Sequence, residues 1–174
     1  FFRKYIKYSF IKRLFELIFS VTLIFATIPL TVFISLLIKL NSRGPIFYRQ
    51  KRIGKNLKLF NCYKFRTMNL EADDMLNNLL SNSEEIRLEF EKTQKIKNDP
   101  RITKVGKFLR KTSLDELPQF INIIRNEMSL IGPRPIVEEE KKRYGKALKE
   151  VFSIRPDIYD FLPEITAYFM ALAI

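Results

Sequence analysis

Two adjacent carboxylates, Asp115 and Glu116, stand in the stretch of this sequence best suited to chemistry, Lys111-Thr-Ser-Leu-Asp-Glu-Leu-Pro-Gln119. A second motif, Gly132-Pro-Arg-Pro135, follows it and holds Arg134 between two prolines. The chain contains no histidine, so acid–base and metal chemistry must come from carboxylates, lysines, arginines or hydroxyls. Acidic side chains set among bases indicate a site that handles phosphate.

The acid pair also fits a purely structural pattern. Ser113-Leu-Asp-Glu116 matches the helix capping box, in which the serine and glutamate side chains each satisfy a backbone N–H at a helix start. Two features argue against a helix cap. Pro118 would remove a hydrogen bond just inside the first helical turn, and there are more basic residues nearby than a cap needs. Neighbours on a helix point about 100° apart, so the two carboxylates would take different roles around one phosphate or metal.

A carboxylate can act as a nucleophile towards phosphorus, as in aspartyl-phosphate enzymes. Because a diphosphate substrate is anionic, attack by Asp115 requires a divalent cation and basic side chains that neutralise the phosphate oxygens. Magnesium is the expected ion, since oxygen ligands without a histidine or cysteine cluster suit it. Candidate phosphate donors are Arg134, Lys64 and Arg66, although a basic residue taken singly is more often a solvated charge.

Length and composition indicate one domain with room for a membrane segment. The chain has 174 residues, 47% of them hydrophobic, which is enough for a core. Its single cysteine, Cys62, excludes an internal disulfide and a cysteine-based zinc site, and is expected to be buried. The net charge of +12 attracts nucleic acid, anionic lipid headgroups or phosphorylated small molecules, and composition does not choose among them.

Residues 17–38 form an uncharged, mostly apolar run that predicts a membrane segment, since about 20 such residues cross a bilayer core as a helix. A cleaved signal peptide is disfavoured because the run is too long and lacks a small-x-small cleavage pattern. Basic residues flank both ends. A helix that bends at Pro29 and returns keeps both basic flanks cytoplasmic, whereas a kinked single-pass helix places one flank outside. The residues alone leave both arrangements open. The hydroxyls expected to satisfy freed backbone groups are those of Thr22, Thr27, Thr31 and Ser35.

The next part of the chain predicts a hairpin and a helical insertion. Residues 46–53 have the pattern of a short strand, and residues 57–66 follow as its partner after a Gly-Lys-Asn turn. Residues 70–97 have apolar side chains at helical spacing with acidic residues between them. This pattern predicts a helical insertion with an acidic, solvated face.

The last part predicts two more helical regions and an apolar tail. A basic amphipathic stretch runs from Val105 past the acid pair to Ile124, and suits either the headgroup layer or a core-facing helix. A charged helix is predicted over residues 138–151 and ends at Arg155-Pro156, because proline breaks helices. An apolar tail begins at Phe161.

Five motifs occur in order: Arg43-Gly-Pro-Ile-Phe-Tyr-Arg-Gln50, Tyr63-Lys-Phe-Arg-Thr-Met68, Asn98-Asp-Pro-Arg-Ile-Thr103, Lys111-Thr-Ser-Leu-Asp-Glu-Leu-Pro-Gln119 and Met128-Ser-Leu-Ile-Gly-Pro-Arg-Pro135. Through them the chain, over residues 10–156, resembles the monotopic polyprenyl-phosphate phosphoglycosyl transferases. These bacterial sugar transferases start capsule, O-antigen, exopolysaccharide and glycoprotein assembly. The match is specific, because a helix cap alone does not produce five ordered motifs.

The resemblance implies an α-rich α+β fold in three parts. The first, residues 1–40, is expected to be a basic arm and a re-entrant helix-break-helix membrane hairpin with its break at Pro29. The second, residues 41–156, is expected to be a small, mainly helical catalytic domain with a short β-hairpin, interfacial amphipathic helices and the insertion over residues 70–97. The third, residues 157–174, is a divergent apolar tail.

The resemblance also implies a two-step reaction. Asp115 is expected to attack the β-phosphate of a UDP-sugar, release UMP and carry the phosphosugar covalently until polyprenyl phosphate accepts it. Glu116 is expected to support the Mg²⁺ site or deprotonate the acceptor, with Asp115 and Glu116 as the metal ligands. The expected phosphate-binding residues are Lys64, Arg66, Arg110 and Arg134. The insertion favours UDP-glucose or UDP-galactose as the donor.

The same resemblance implies a location and partners. The chain is expected at the bacterial inner membrane as a monotopic protein, with its catalytic domain facing the cytoplasm. Expected partners are the UDP-sugar, polyprenyl phosphate and anionic lipids of the inner leaflet, while homo-oligomers and downstream glycosyltransferases are left open. Nucleic acid is not expected, because bases alternate poorly with exposed aromatics and the acid pair would repel a phosphate backbone.

Several positions depart from the family pattern. Ile28 and Asn41 stand where serine and aspartate are usual, and Glu16 replaces an aspartate. Arg155-Pro-Asp-Ile-Tyr-Asp160 stands where the family has Arg-Pro-Gly-Ile-Thr-Gly. This altered end motivates an alternative hypothesis, in which the chain is a catalytically inactive or truncated membrane-bound scaffold of the same fold that pairs with an active glycosyltransferase.

Overall fold

The computed structural model describes residues 2–93 and 96–158. It is mostly helical with a single two-stranded antiparallel sheet in the described part, which confirms the predicted α-rich α+β class. The predicted apolar tail from Phe161 lies outside the described residues.

The apolar run forms two helices, α1 over Phe2–Ala26 and α2 over Ile28–Asn41. The break falls at Thr27, two residues before the predicted break at Pro29. Pro29 lies in the first turn of α2, where its missing N–H would have no helical partner in any case. The Thr27 hydroxyl donates to Leu23 O at 2.7 Å, and Ser35 Oγ donates to Thr31 O at 2.6 Å. Two of the four predicted hydroxyls therefore satisfy backbone carbonyls.

The two helices together have the length and composition of a broken membrane segment. Among the described residues, no single helix is both long and apolar enough to cross a membrane. The pair Phe10–Ala26 and Ile28–Asn41, bent by 58°, passes the same test together.

The predicted hairpin is confirmed with slightly shorter strands. Strand β1 covers Phe47–Ile53 and β2 covers Leu59–Phe65, joined through a 3-10 turn over Lys55–Leu57. Asn56 and Leu57 adopt positive φ angles of 55° and 61°, which turn the chain between the strands.

The predicted helical insertion consists of two helices. Helix α3 covers Ala72–Asn82 and α4 covers Glu84–Thr93, separated by Ser83 in an extended conformation. Each begins with acidic residues in its first turn, which complement the positive N-terminal end of a helix.

The predicted continuous stretch from Val105 to Ile124 is divided into three pieces. Helix α5 covers Lys104–Lys111, a 3-10 turn covers Leu114–Glu116, and α6 covers Gln119–Ile124. Ser113 separates the first two pieces with a φ of 56°. A capping residue is normally extended, so Ser113 lacks the backbone geometry of the capping box. Pro118 directly precedes α6, so it interrupts no helix.

The predicted charged helix over residues 138–151 is also broken. A 3-10 segment covers Glu138–Ala147 with a kink at Gly145, and α7 covers only Leu148–Val151. The positive φ of Gly145, 47°, explains the break, because glycine enters this region without steric cost.

The chain divides into two compact units. The first is built from Phe1–Ile28, Tyr48–Lys64 and Glu116–Ile174, and the second from Pro29–Phe47 and Phe65–Asp115. The first unit contains two apolar clusters, one around Ile53 and Phe152 and one around Cys62 and Ile123. In the second unit, Phe65 and Leu109 are almost fully buried.

Candidate functional site

The acid pair lies in the short 3-10 turn over Leu114–Glu116, with Asp115 in the second unit and Glu116 in the first. Asp115 is buried, with 8% of its surface exposed. Within the first unit, Lys64 Nζ lies 2.6 Å from Glu116 Oε1, and each of these side chains is 26% exposed. The structure therefore brings together two of the predicted site residues that are far apart in sequence.

The position of Lys64 follows from the pleat of β2. Successive side chains of a strand point to opposite faces, so Lys64 shares a face with Cys62. Cys62 is 1% exposed and belongs to the same apolar cluster as Phe120 and Ile123 of α6. Burial raises the pKa of the Cys62 thiol to about 11, so it is a neutral core residue at physiological pH.

Asn122 fixes α6 against β2, and its role was not predicted from the sequence. Its Oδ1 accepts from the Tyr63 backbone N–H at 3.1 Å, and its Nδ2 donates to Asn61 O at 2.7 Å. The same amide donates to Glu127 Oε2 at 2.6 Å. The sequence signal that could have identified it is an amide inside the apolar run of α6, because a polar group carried into a core needs hydrogen-bond partners.

Arg134 is exposed, and its chain neighbour Pro135 contacts a second guanidinium, that of Arg52. Burial lowers the pKa of Arg52, and repulsion from Arg134 lowers it further. Arg52 NH1 donates to Pro135 O at 3.2 Å and lies 3.8 Å from Glu140 Oε2. Two guanidinium groups that repel each other favour a bound anion, since an anion offsets their repulsion. The sequence pattern does not single out Arg52, because it is one of many bases that follow the apolar run.

The loop that carries Arg134 is held on one side by Glu16 of α1. Glu16 is 2% exposed, and its Oε1 accepts from Ser129 Oγ and, at 3.3 Å, from the Leu130 N–H. Lys12 and Arg13, in the same helix, lie 3.6 and 3.5 Å from the Glu16 carboxylate. A buried carboxylate in an apolar helix is thereby paired with two cations, as burial of a charge requires.

The same loop is held on the other side by Asp157, at a position where the sequence departs from the family pattern. Asp157 Oδ2 accepts from Gly132 N at 3.2 Å, and its own N–H donates to Pro133 O at 3.0 Å. A Cβ on Gly132 would lie 2.1 Å from Arg155 O, so no other residue fits this approach. The Gly-Pro-Arg-Pro loop is therefore fixed from two directions.

In the second unit, Arg66 and Arg110 lie around Thr67. Arg66 is 7% exposed and donates to the carbonyl oxygens of Arg43 and Ser42 at 2.7 and 2.8 Å. Burial lowers its pKa. Arg110 Nε donates to Thr67 Oγ1 at 2.9 Å. The Arg66 contacts hold the chain just after α2, and any phosphate role for Arg66 stays a prediction.

Helix α5 can approach Thr67 only because residue 106 is glycine. A Cβ on Gly106 would lie 2.0 Å from Thr67 O. Thr103 caps this helix by accepting from the Gly106 N–H at 2.9 Å, and its own N–H donates to Thr67 O at 3.0 Å. The helix that carries Arg110 is thus fixed through its first turn.

Asp99 and Arg101 form a buried pair in the same unit. Arg101 Nε lies 2.9 Å from Asp99 Oδ1, and NH2 lies 2.7 Å from Oδ2. Although burial raises the pKa of Asp99, hydrogen bonds from Arg101 outweigh it, and the net pKa is lowered. The pair folds the Asn98-to-Thr103 motif onto itself, which is a structural role.

The described residues contain no group of three or more acidic, cysteine or histidine side chains placed to hold a metal ion. Mg²⁺ in phosphate-transfer sites usually takes only one or two carboxylates, with substrate oxygens and water completing the shell. Glu116 is partly exposed and held by a single lysine, so its carboxylate fits such a shared shell better than a closed protein cage.

The chain belongs to the bacterial sugar transferase family, which it matches over residues 7–170. It is 47% identical over 135 residues to the undecaprenyl-phosphate galactose phosphotransferase of Salmonella typhimurium, covering 78% of this chain and 28% of that protein. It is 42% identical over 147 residues to the exopolysaccharide production protein ExoY of Sinorhizobium fredii, covering 84% of this chain and 65% of that protein. It is 43% identical over 124 residues to the undecaprenyl-phosphate glucose phosphotransferase of Komagataeibacter xylinus, covering 71% of this chain and 21% of that protein. The chain thus spans less than two thirds of each of these relatives.

Proposed function

We propose that this chain transfers a sugar 1-phosphate from a UDP-sugar to polyprenyl phosphate at the start of surface polysaccharide or glycoconjugate assembly. Family membership supports the reaction class, and the names of two relatives specify undecaprenyl phosphate with galactose or glucose. The observation that carries the proposal for this chain is the Lys64–Glu116 ion pair. It joins the acid motif to the Tyr63-to-Met68 motif at one point of the fold.

In the first step, a carboxylate oxygen of Asp115 attacks the β-phosphorus of the UDP-sugar. A bond forms between that oxygen and phosphorus, the bridging oxygen between the two phosphates departs with UMP, and an aspartyl-phosphosugar remains. Burial of Asp115 favours this role, since a carboxylate shielded from water is less solvated and a stronger nucleophile.

In the second step, an oxygen of polyprenyl phosphate attacks the same phosphorus. The bond to Asp115 breaks, the carboxylate is restored, and a polyprenyl-diphosphate sugar is released. Glu116, which contacts Lys64, takes up a proton from the acceptor or supports the metal. Arg110 and Arg134 neutralise phosphate oxygens in this proposal, and Arg52 joins them as a neighbour of Arg134.

Magnesium is part of the same proposal. Asp115 and Glu116 would supply its protein oxygens, and the bound ion neutralises the phosphate charge that opposes attack by a carboxylate. The chain's own contribution is to hold Glu116 through one exchangeable lysine contact, which leaves the carboxylate available to a cation.

The membrane setting is likewise proposed. The bent pair α1 and α2 supports a re-entrant segment, with the basic flanks and the catalytic residues on the cytoplasmic side of the inner membrane. Exposed apolar side chains along both helices support contact with lipid, because water would leave them unfavourably solvated. The insertion formed by α3 and α4 favours UDP-glucose or UDP-galactose as the donor.

The test is UMP release by the purified chain with Mg²⁺, polyprenyl phosphate and a panel of UDP-hexoses. Asp115→Asn should lower the rate by at least roughly a thousandfold, because a neutral amide is a poor nucleophile. Asp73→Asn, which alters an exposed acid of α3, is the matched control and should retain full activity.

The alternative of an inactive scaffold makes a different prediction. It expects no UMP from any donor while the chain still binds membranes. The contacts of Asp157 show that this altered position still takes part in holding the Arg134 loop.

A further inference from the structure

A cleft of about 400 Å³ lies in the first unit, and its lining includes none of the residues proposed for sugar-phosphate transfer. It opens between the turn that joins β1 to β2 and the segment that follows α6. Its polar lining residues are Lys55, Asn56, Lys58, Asn126, Glu127 and Arg155. The proposed mechanism uses none of them.

The cleft carries a net positive charge. Its three cations come from two separate parts of the chain, and its one acid, Glu127, already accepts a hydrogen bond from Asn122 at 2.6 Å. Arg155 is fixed in place, because its Nε donates to Asn126 O at 3.1 Å. Burial lowers the pKa of Arg155, and repulsion from Arg13 lowers it further, so an anion beside this guanidinium would offset both effects. The chemistry of the cleft therefore selects a phosphate-bearing or other anionic group.

The surroundings indicate where that anion comes from. Arg13 and Glu16, which act electrostatically on Arg155, lie on α1 directly before its uncharged run. Phe15 and Ile18, on the same part of α1, are 61% and 59% exposed. Apolar side chains next to bases are typical of a helix at the level of lipid headgroups. Arg13 NH2 donates to Ile123 O of α6 at 2.6 Å, so the turn of α1 where the headgroup layer is expected contacts the helix that precedes the cleft-lining Asn126.

The rim of the cleft has the same mixed character. Leu59 and Phe60 line it, and Leu59 is 58% exposed. A soluble anion gains nothing from these apolar groups, whereas the glycerol and upper acyl region of a lipid would cover them.

We propose that this cleft binds the phosphate-bearing headgroup of an anionic phospholipid, with Lys55, Lys58 and Arg155 as its cationic partners. The site is separate from the acid pair and does not depend on whether the chain transfers sugar phosphate. It makes the β1–β2 turn a second lipid contact besides α1 and α2.

The test is isothermal titration of the full chain, purified in a neutral detergent, with short-chain phosphatidylglycerol. The same titration with short-chain phosphatidylcholine tests whether the headgroup charge is needed. A titration with inorganic phosphate tests whether a free anion binds without the lipid. The double variant Lys55→Gln/Lys58→Gln should weaken phosphatidylglycerol binding by about tenfold or more, since each such base contributes about 1 kcal/mol near an anionic lipid surface. The control is Lys51→Gln/Lys146→Gln, which removes two exposed lysines outside the cleft and should change the affinity less than about twofold.

Three results would overturn the proposal. Equal weakening by both double variants would mean that only the overall charge matters. Inorganic phosphate bound as tightly as phosphatidylglycerol would make this a free-anion site, and equal binding of phosphatidylcholine would remove the role of the headgroup charge. Arg155→Lys, which keeps the charge and loses the fixed contact to Asn126, should weaken binding less than Arg155→Gln; the reverse order would also contradict the assignment.

Discussion

Two carboxylate–cation pairs, Asp99–Arg101 and Glu116–Lys64, contain similar groups and are built differently. In the first, the side chains are 5% and 8% exposed, and several hydrogen bonds join them. In the second, both side chains are 26% exposed and the contact is a single one at 2.6 Å.

The difference separates a pair that holds the fold from a pair that can exchange partners. Breaking a buried, multiply bonded pair leaves an uncompensated charge, which is strongly destabilising. A partly exposed pair with one contact contributes little to stability, because water can replace either partner. The second pair can therefore release Glu116 to a substrate or a metal without loss of the fold, and the first cannot release Asp99.

The largest expected effect comes from breaking the buried pair. Arg101→Met should lower the free energy of unfolding by about 3–5 kcal/mol, because Asp99 would remain buried without its cation. Chemical denaturation of the detergent-solubilised chain measures this loss. Arg87→Met, which breaks the exposed pair with Glu84, is the control and should cost at most about 1 kcal/mol. Similar losses in both variants would contradict the distinction.

Breaking the partly exposed Lys64–Glu116 pair should affect activity and leave stability nearly unchanged. Glu116→Gln should slow UMP release by about a hundredfold, since it removes a charged acid–base group. Its unfolding temperature should stay close to that of the unmodified chain, because a partly exposed ion pair contributes only about 0–1 kcal/mol. Glu150→Gln, at an exposed position, is the control for both readouts. A large fall in unfolding temperature would make the Lys64–Glu116 pair structural as well.

A third carboxylate, Glu16, is buried like Asp99 but holds the loop that carries Arg134. Glu16→Gln should lower the free energy of unfolding by about 2 kcal/mol, because hydrogen bonds to a charged acceptor become bonds to a neutral one. Hydrogen exchange at the Leu130 amide should become faster, and the KM for the UDP-sugar should rise more than kcat falls. Unchanged exchange at Leu130 with a normal KM would remove the link between α1 and Arg134. Glu139→Gln, at an exposed position, is the matched control.

The smallest expected effect is a pH dependence of stability that arises from Asp99. Its pKa is lower in the folded state than in the unfolded state, so its contribution is fully present above the unfolded pKa of about 3.9. The contribution is lost as pH falls from there through the folded pKa. Between about pH 5 and pH 2, the free energy of unfolding should therefore fall more steeply with decreasing pH in the unmodified chain than in Arg101→Met. Equal slopes would show that Arg101 does not lower the pKa of Asp99.

Much of the fold could be predicted from local pattern. The hairpin, the acidic helical insertion and the apolar run with a break near Pro29 all follow from periodicity and from turn or breaker residues. The errors occurred where a single backbone conformation decided the outcome. Ser113 and Gly145 adopt positive φ angles that end helices, and hydropathy patterns do not report φ.

The candidate site was only partly predictable. The acid pair and the basic motifs could be found from residue types and their order along the chain. Arg52 and the positions of Glu16 and Asp157 could not, because their roles depend on partners far away in sequence. Glu16 and Ser129, for example, are 113 residues apart.

The sequence by itself determined the main elements of this protein and its family. These elements are a bent apolar helix pair, a hairpin, and an acid pair without histidine. Only the tertiary structure decided which carboxylate has an exchangeable partner and which is fixed. Residue type sets what a side chain can do chemically. Burial and the number of hydrogen bonds set whether it is free to do it, and both are properties of the packed chain.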